Sequence, residues 1–391
     1  MPLAVEIVST GDELLTGQLV DGNGPWLMDR LWELGVQVRR TTLVGDDRAE
    51  LLAVLAETTA RADLVVTSGG LGATEDDLTR ECVAAAMGVP LVEDPGALAA
   101  VRACYATLGR VMTPNNEKLA RFPRGATILP NRLGTAPAFR VPLGRAEVVC
   151  LPGPRQEFRA LCDEAVLPRV AARTGAEPPA VRLVKLFGVW EAHADEAMRP
   201  VMDAPEHRDV RFGYRAHWPE IHVKWSVPGP GAAARADRIL AAVRRIFGEA
   251  LFAEGREDLA GVVVERLRAR GERLAVAQRG TGAVLVDLVS PAPGAGAVFA
   301  LGAVFALGTV EGAGEAGALA EAVRLEGGAA WGLAVVGDLA DDAAAPDRAV
   351  QLALAGDRGT RTWTRSFRGD GALVRKLAAY DALNELRLTL R

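Results

Sequence analysis

The run Ser68-Gly69-Gly70-Leu71-Gly72-Ala73-Thr74-Glu75-Asp76-Asp77-Leu78-Thr79 joins a glycine turn to paired carboxylates. It follows directly on Ala62-Asp63-Leu64-Val65-Val66-Thr67, a short β-branched run of the kind that forms a buried parallel strand. The chemistry this arrangement predicts is that of a magnesium-nucleotide site. Gly69, Gly70 and Gly72 let backbone N–H groups approach an anion without Cβ interference, and the segment from Asp76 to Gly88 predicts a helix whose N-terminus faces that anion. Asp76 and Asp77 are then placed to hold a hard cation, because Mg²⁺ prefers carboxylate and phosphate oxygens. A helix-capping turn with solvated acids is the competing reading of the same residues.

The elements that must position this turn alternate. Strands are expected at 3–10, 36–44 and 63–67, helices at 22–34, 48–60, 76–87 and near 95–108, then strands at 126–129 and 146–151 and a helix at 154–170. Such alternation implies a mainly parallel sheet wound on both faces, with ligands gathered at the carboxyl ends of the strands. The turn after residue 10, with Gly11, Glu13 and later Asn23, then shares that end with the Gly69 turn. Glu13 is a metal ligand, a water-orienting base, or a helix N-terminal acid complementing the dipole. Three further clusters belong to the same stretch. Asn116 and Lys118 contact phosphate or cap the helix that follows, while Gly134, Thr135 and the Pro152-Gly153-Pro154 turn shape the pocket wall.

With these motifs in this order from residue 3 to about 168, the chain resembles the competence/damage-inducible CinA-like family. The family pattern GTELLxGxxxxxN is matched by Gly11, Glu13, Leu14, Leu15, Gly17 and Asn23, with Asp12 in place of the usual Thr. The pattern GGLGPTxDDxT is matched from Gly69 to Thr79, except that Ala73 replaces proline. The resemblance implies an α/β chain of three parts. These are a three-layer molybdopterin-binding-like nucleotide domain at 1–170, a small α+β, KH-like middle domain at 178–254, and an α/β amidase-like domain at 257–391. It further implies hydrolysis of the pyrophosphate of ADP-ribose or a related nucleotide with a divalent metal, Mg²⁺ or Co²⁺, and K⁺ as an additional ion. Carried over residue by residue, Glu13, Asp76 and Asp77 are the catalytic set, with Asp76 and Asp77 on the metal. Gly11, Asn23, Gly69, Gly70, Gly72, Thr74, Asn116, Lys118, Gly134, Thr135 and Gly153 are the substrate contacts. A homodimer is the implied assembly. A non-catalytic adaptor in competence, transformation or DNA-damage response, with a recombination or competence protein as partner, is the alternative.

Composition limits the other classes. The 391 residues are enough for two or three domains, and 49% hydrophobic content supports real cores. A net charge of -5 gives no basic footprint for nucleic acid. Cys82, Cys104, Cys150 and Cys162 form no CxxC pair and suit a reducing cytosol, so a cytoplasmic location is expected. The opening Met1-Pro2-Leu3-Ala4-Val5-Glu6 lacks a basic n-region and predicts a first strand. The longest apolar run, from Ala297 to Val310, is shorter than the roughly 20 residues of a membrane span.

Residues 171–179 predict a linker. Beyond it, strands are expected at 181–188, 211–214 and 220–227 and helices at 190–202 and 231–247. The last third starts with an amphipathic helix at 258–270 and a strand at 274–277 leading into Gln278-Arg279-Gly280-Thr281-Gly282-Ala283. Amidase domains of the resembled family carry AESCTGG here, with the serine as nucleophile. Arg279 and Gly280 occupy the Ser-Cys stretch, and a guanidinium cannot replace a deprotonatable nucleophile beside a base. The repeated hexapeptide Ala297–Gly302 and Ala303–Gly308 stands where that family has a polar loop and a lysine, and the glycine-rich cradle near 336–342 is gone. A helix is expected at 371–390. This half is read as an amidase fold that has kept its core and lost nicotinamide mononucleotide deamidation.

Overall fold

The computed structural model describes residues 3–174, 179–306, 316–339 and 345–391. The described chain forms two compact units, one reaching to Val181 and including Pro228–Ala233, the other comprising Arg182–Val227 and Ala234–Arg391.

The first unit runs β1 (Val5–Thr10), α1 (Asp12–Leu15), α2 (Asn23–Glu33), β2 (Val38–Val44), α3 (Arg48–Arg61), β3 (Leu64–Ser68), α4 (Thr79–Met87), β4 (Leu91–Glu93) and α5 (Pro95–Thr107). It continues with β5 (Arg121–Pro123), β6 (Thr127–Leu129), β7 (Ala138–Leu143), β8 (Ala146–Leu151), α6 (Arg155–Leu161) and α7 (Leu167–Thr174). Six strands make one sheet in the order β2-β1-β3-β8-β7-β6. The first four are parallel, while β7 pairs antiparallel with both β8 and β6. Alternate residues of the buried strands serve two cores: Val8 and Val65 pack with α3, α4 and α5, and Ile7 and Val66 with α2, α6 and α7. This is the three-layer arrangement expected of a doubly covered parallel sheet.

Three expectations need correction. The helix expected from Asp76 begins at Thr79, because the Asp77 carboxylate accepts the Gly72 and Thr74 N–H groups and so holds residues 72–77 in a turn. The strand β7 went unpredicted. It forms a tight hairpin with β8 across Gly144, whose φ is +59°, and breaks the assumed β/α alternation. The expected linker starts late, since residues 171–174 complete α7; residues 175–178 lie outside the described residues.

The second unit opens with β9 (Ala180–Phe187), α8 (Glu191–Met202), β10 (Arg211–His217), β11 (Glu220–Val227), α9 (Ala232–Phe247) and β12 (Leu251–Glu254), whose strands form a sheet in the order β10-β11-β9-β12. It continues with α10 (Leu259–Arg270), β13 (Leu274–Arg279), α11 (Val284–Val289), α12 (Ala295–Val298), β14 (Phe299–Phe305) and α13 (Ala316–Glu326). The chain closes with β15 (Trp331–Val336), β16 (Ala345–Gly356), β17 (Gly359–Gly369) and α14 (Gly371–Thr389). The five-stranded sheet β14-β13-β15-β16-β17 is parallel around β13 and antiparallel beyond β15. The hexapeptide region read as a lost polar loop supplies β14, an edge strand paired with β13; its last two residues lie outside the described ones. Among the described residues, no helix is long and apolar enough to cross a membrane.

Candidate functional site

Register brings four loops together at the carboxyl end of the first sheet. Thr10 pairs with Val44, Ser9 with Ser68, and Ser68 with Leu151, so the turns after β1, β2, β3 and β8 emerge side by side. Gly69 must be glycine: its φ is +106°, and an added Cβ would stand 2.5 Å from the Thr10 carbonyl oxygen. The Gly69 N–H donates to the Leu151 carbonyl at 3.0 Å, which fixes the glycine turn against the Pro152-Gly153-Pro154 turn.

Between these loops lies a cavity of about 330 Å³. It gathers Gly11, Glu13, Gly69, Gly70, Gly72 and Thr74 with Asp76, Asp77, Thr135 and Gly153. Asn23, Asn116 and Lys118 are not among its walls. Asn23 is buried and donates from Nδ2 to Ser68 Oγ at 2.9 Å and to the Gly153 carbonyl at 2.7 Å, so it braces two of the loops. Asn116 accepts from the Tyr105 hydroxyl at 2.7 Å and donates to Thr113 Oγ1 at 2.6 Å. Lys118 neither caps a helix nor lines the cavity. Its ammonium donates to the carbonyls of Thr74 at 2.8 Å and Asp77 at 2.6 Å and pairs with Glu81 at 3.3 Å, clamping the acidic turn from behind. Gly134 lines the neighbouring cavity instead.

Asp76 and Asp77 have different duties. Asp77 accepts from Gly72 N–H at 2.7 Å on one oxygen and from the Thr74 N–H and hydroxyl on the other, so three of its acceptor positions are taken by its own loop. Asp76 is fully exposed. The Thr74 side chain beside it, then backbone N–H groups of the turn and the Lys118 ammonium, keep its carboxyl below the usual range, so it is ionised at neutral pH. Gly70 and Leu71 N–H make no hydrogen bond among the described residues, and a Cβ on Gly72 would fall 2.2 Å from an Asp77 carboxylate oxygen and push it from its place.

Sequence reasoning missed three residues. Asp46 lines the cavity, and its carboxyl is pushed up by burial and by the like charges of Asp12, Asp76 and Glu13, against a bond from the Asp12 N–H at 3.1 Å. Its signal was present: parallel register puts the second residue after Val44 beside the second after Thr10. Glu157 also lines the cavity, its carboxyl raised by burial, an effect partly offset by the Asn131 amide at 2.6 Å. Arg80 is wholly buried beneath the loop and donates to the carbonyls of Leu71 at 2.7 Å and Pro137 at 3.3 Å; burial pushes it down to about 10. No sequence pattern announces a buried arginine.

As it stands, no group of three or more acidic, histidine or cysteine side chains among the described residues is gathered to hold a metal. The donor chemistry nevertheless fits Mg²⁺, which is commonly held by one or two carboxylates together with substrate phosphates and water.

In the second unit, the described residues just beyond β13 are bonded to those beyond β15. The Gly337 N–H donates to the Arg279 carbonyl and the Leu339 N–H to the Gly280 carbonyl, both at 3.0 Å. Gln278 is buried, accepting the Leu285 N–H at 2.8 Å and donating to Thr281 Oγ1 at 3.3 Å. The one hydroxyl of the motif, on Thr281, is thereby buried in a structural contact.

A family model described as "Probable molybdopterin binding domain" matches residues 6–172. A CinA-like protein of Anaeromyxobacter sp. (strain Fw109-5) is 57% identical, covering 100% of both chains. A CinA-like protein of Syntrophotalea carbinolica is 34% identical over 99% of this chain and 98% of its own. Among solved structures, the protein CinA from Thermoplasma acidophilum is 34% identical with a TM-score of 0.40, covering 43% of this chain and 98% of that one. The molybdopterin biosynthesis enzyme MoaB from Thermus thermophilus is 22% identical with a TM-score of 0.30, covering 45% of this chain and 98% of that one.

Proposed function

Because the chain belongs to the CinA-like protein family and carries a molybdopterin-binding-like domain at its start, we propose that this domain hydrolyses the pyrophosphate of ADP-ribose or a related nucleotide with a divalent metal. The observation that carries this reading is the cavity itself, whose lining joins Gly70 and Leu71, their N–H groups without a hydrogen bond among the described residues, with Glu13, Asp46 and Asp76. The N–H groups suit phosphate oxygens, and the acids suit a cation.

In this mechanism the glycine turn holds the pyrophosphate and orients it. Asp77 and Lys118 keep the turn in shape from behind, Asp77 through Gly72 and Thr74, Lys118 through the carbonyls of Thr74 and Asp77. Asp76 and Asp46 would hold Mg²⁺ or Co²⁺, which when bound would neutralise charge building on the departing phosphate. Glu13, which lies against Gly11 at the cavity edge, orients the attacking water and accepts its proton. Arg80 adds a buried positive charge beneath the anion.

The second unit is assigned no deamidation, which is supported by Arg279 and Gly280 in the place of a nucleophile and by the buried Thr281. A core retained without catalytic residues favours the second reading, in which this unit serves as an adaptor for a competence, recombination or DNA-damage partner. The deciding assay measures AMP released from ADP-ribose with Mg²⁺ or Co²⁺, with and without chelator, beside Asp76→Asn, and ammonia released from nicotinamide mononucleotide. Metal-dependent AMP release that the variant lacks supports the hydrolase. Silence on both substrates puts the adaptor first, and ammonia release overturns the reading of the second unit.

A further inference from the structure

The other end of the first sheet holds a cavity that the glycine turn does not line. Leu3 precedes β1, Asp63 precedes β3 and Glu147 is the second residue of β8, so this cavity of about 670 Å³ lies where the parallel strands begin. Four arginines and two carboxylates line it: Arg140 of β7, Arg145 of the hairpin turn, Arg169 and Arg173 of α7, with Asp63 and Glu147. Two positive charges are thus in excess, in a chain whose net charge is -5.

Pairing does not remove the excess. Arg140 at 2.8 Å, Arg169 at 2.9 Å and Arg173 all pair with Glu147, while Arg145 pairs with Asp63, which also accepts the Ala4 N–H at 2.9 Å. Three guanidinium groups therefore share one carboxylate. Burial pushes Glu147 up, but the arginines outweigh it and hold its carboxyl below the usual range, so the acid is ionised with both oxygens taken. Arg169 Nε is shut off from solvent and has no hydrogen-bond partner among the described residues. A donor and a surplus of charge are left over at the same place, and an anion answers both.

Arginine forks match phosphate oxygens, and a phosphate group carries about two negative charges at neutral pH, the size of the excess. We propose that this cavity binds the phosphate group of a small molecule through Arg140, Arg169 and Arg173, as a site separate from the glycine turn and independent of the nucleotide reading. Leu3, Val141 and Pro142 add an apolar wall beside the arginines.

Phenylglyoxal labelling of arginines in the whole protein, read by peptide mass spectrometry, locates the ligand. With inorganic phosphate as probe, labelling of Arg169 and Arg173 is expected to slow along a single-site curve, about tenfold at ten times the half-protecting concentration. Arg199 and Arg268, which do not line this cavity, should keep their rates. Equal protection by succinate, or by sodium chloride at the same ionic strength, would reduce the effect to general anion affinity or screening and overturn the site. Phenyl phosphate is the second probe: the tighter of the two names the source, an ester or the free ion, and either upholds the site. Arg173→Gln, read at Arg169, is expected to raise the half-protecting concentration about tenfold. Glu147→Gln, which removes the competing carboxylate, should lower it by a similar factor, and a rise instead overturns the role given to the excess charge. Asp77→Ala, which disturbs the glycine turn, should leave the curve unchanged. Protection lost in that variant while it still melts cooperatively places the phosphate at the turn and overturns the proposal.

Discussion

Each unit of this protein has parallel strands whose carboxyl ends carry loops, and the two sets of loops differ in what they leave unpaired. Beyond β1 and β3, Gly70 and Leu71 N–H stay unbonded and Asp46 stands among Asp12, Asp76 and Glu13. Beyond β13, the N–H groups of Gly337 and Leu339 are bonded to the carbonyls of Arg279 and Gly280, and the Gln278 amide is occupied by Leu285 and Thr281. Topology supplies parallel strand ends where loops gather in both places. A site needs, in addition, groups whose bonding is held open and charges that repel one another, and both conditions cost stability.

The sharpest way to break this contrast is to disturb the acidic turn. Asp77→Ala removes the acceptor for Gly72 and Thr74, and the misplaced turn should lower kcat/KM on ADP-ribose by about a hundredfold, measured in steady state with saturating metal. An unchanged kcat/KM would show that the turn takes no part. Next in size is Gly69→Ala. With φ at +106° and the Thr10 carbonyl 2.5 Å from the new Cβ, it should destabilise the first unit by about 1–3 kcal/mol or more in denaturant melts and abolish nucleotide binding.

Thr281→Ala tests the other side of the contrast. It should leave turnover of ADP-ribose unaltered, yet strand the buried Gln278 amide and lower the stability of the second unit by roughly 1–2 kcal/mol. A loss of turnover would mean that the crevice had been misjudged.

The smallest effect is expected from Asp46→Asn. Because burial and like charges raise the Asp46 carboxyl above 3.8, the folded protein binds this proton more tightly than the unfolded chain. Its stabilising contribution is full below that value and is lost as pH rises through the raised one, leaving an ionised group that opposes folding at neutral pH. The metal-free variant should therefore melt roughly one or two degrees higher at pH 7, with the gain vanishing in acid, while its apparent metal affinity falls about tenfold. A lower melting temperature would contradict the crowding of acids.

Much of the first unit was legible because its strands are apolar and its turns are marked by Gly69, Gly70, Gly72 and Gly11. Period and punctuation gave β1, β2, β3 and β8 and the end of the sheet on which the loops meet. What escaped depended on pairing across the chain. The strand β7 exists because it reverses beside β8. Asp46 matters because register sets it next to Asp12, and Lys118 bonds the turn only through folded-state proximity. In the second unit, Phe299–Phe305 was judged by the polar loop it lacked, although its apolar run suits an edge of the sheet.

Arg80 ties the glycine turn to the segment before β7, one hydrogen bond to the Leu71 carbonyl and one to that of Pro137. Two stretches 66 positions apart are thus fastened to one side chain that cannot be hydrated if either lets go. Insertions and deletions, which surface loops otherwise absorb cheaply, are barred from both, since lengthening one would leave a buried guanidinium half satisfied. The two walls of the cleft are therefore bound to diverge together, and variation in what the protein recognises must come from the remaining rim.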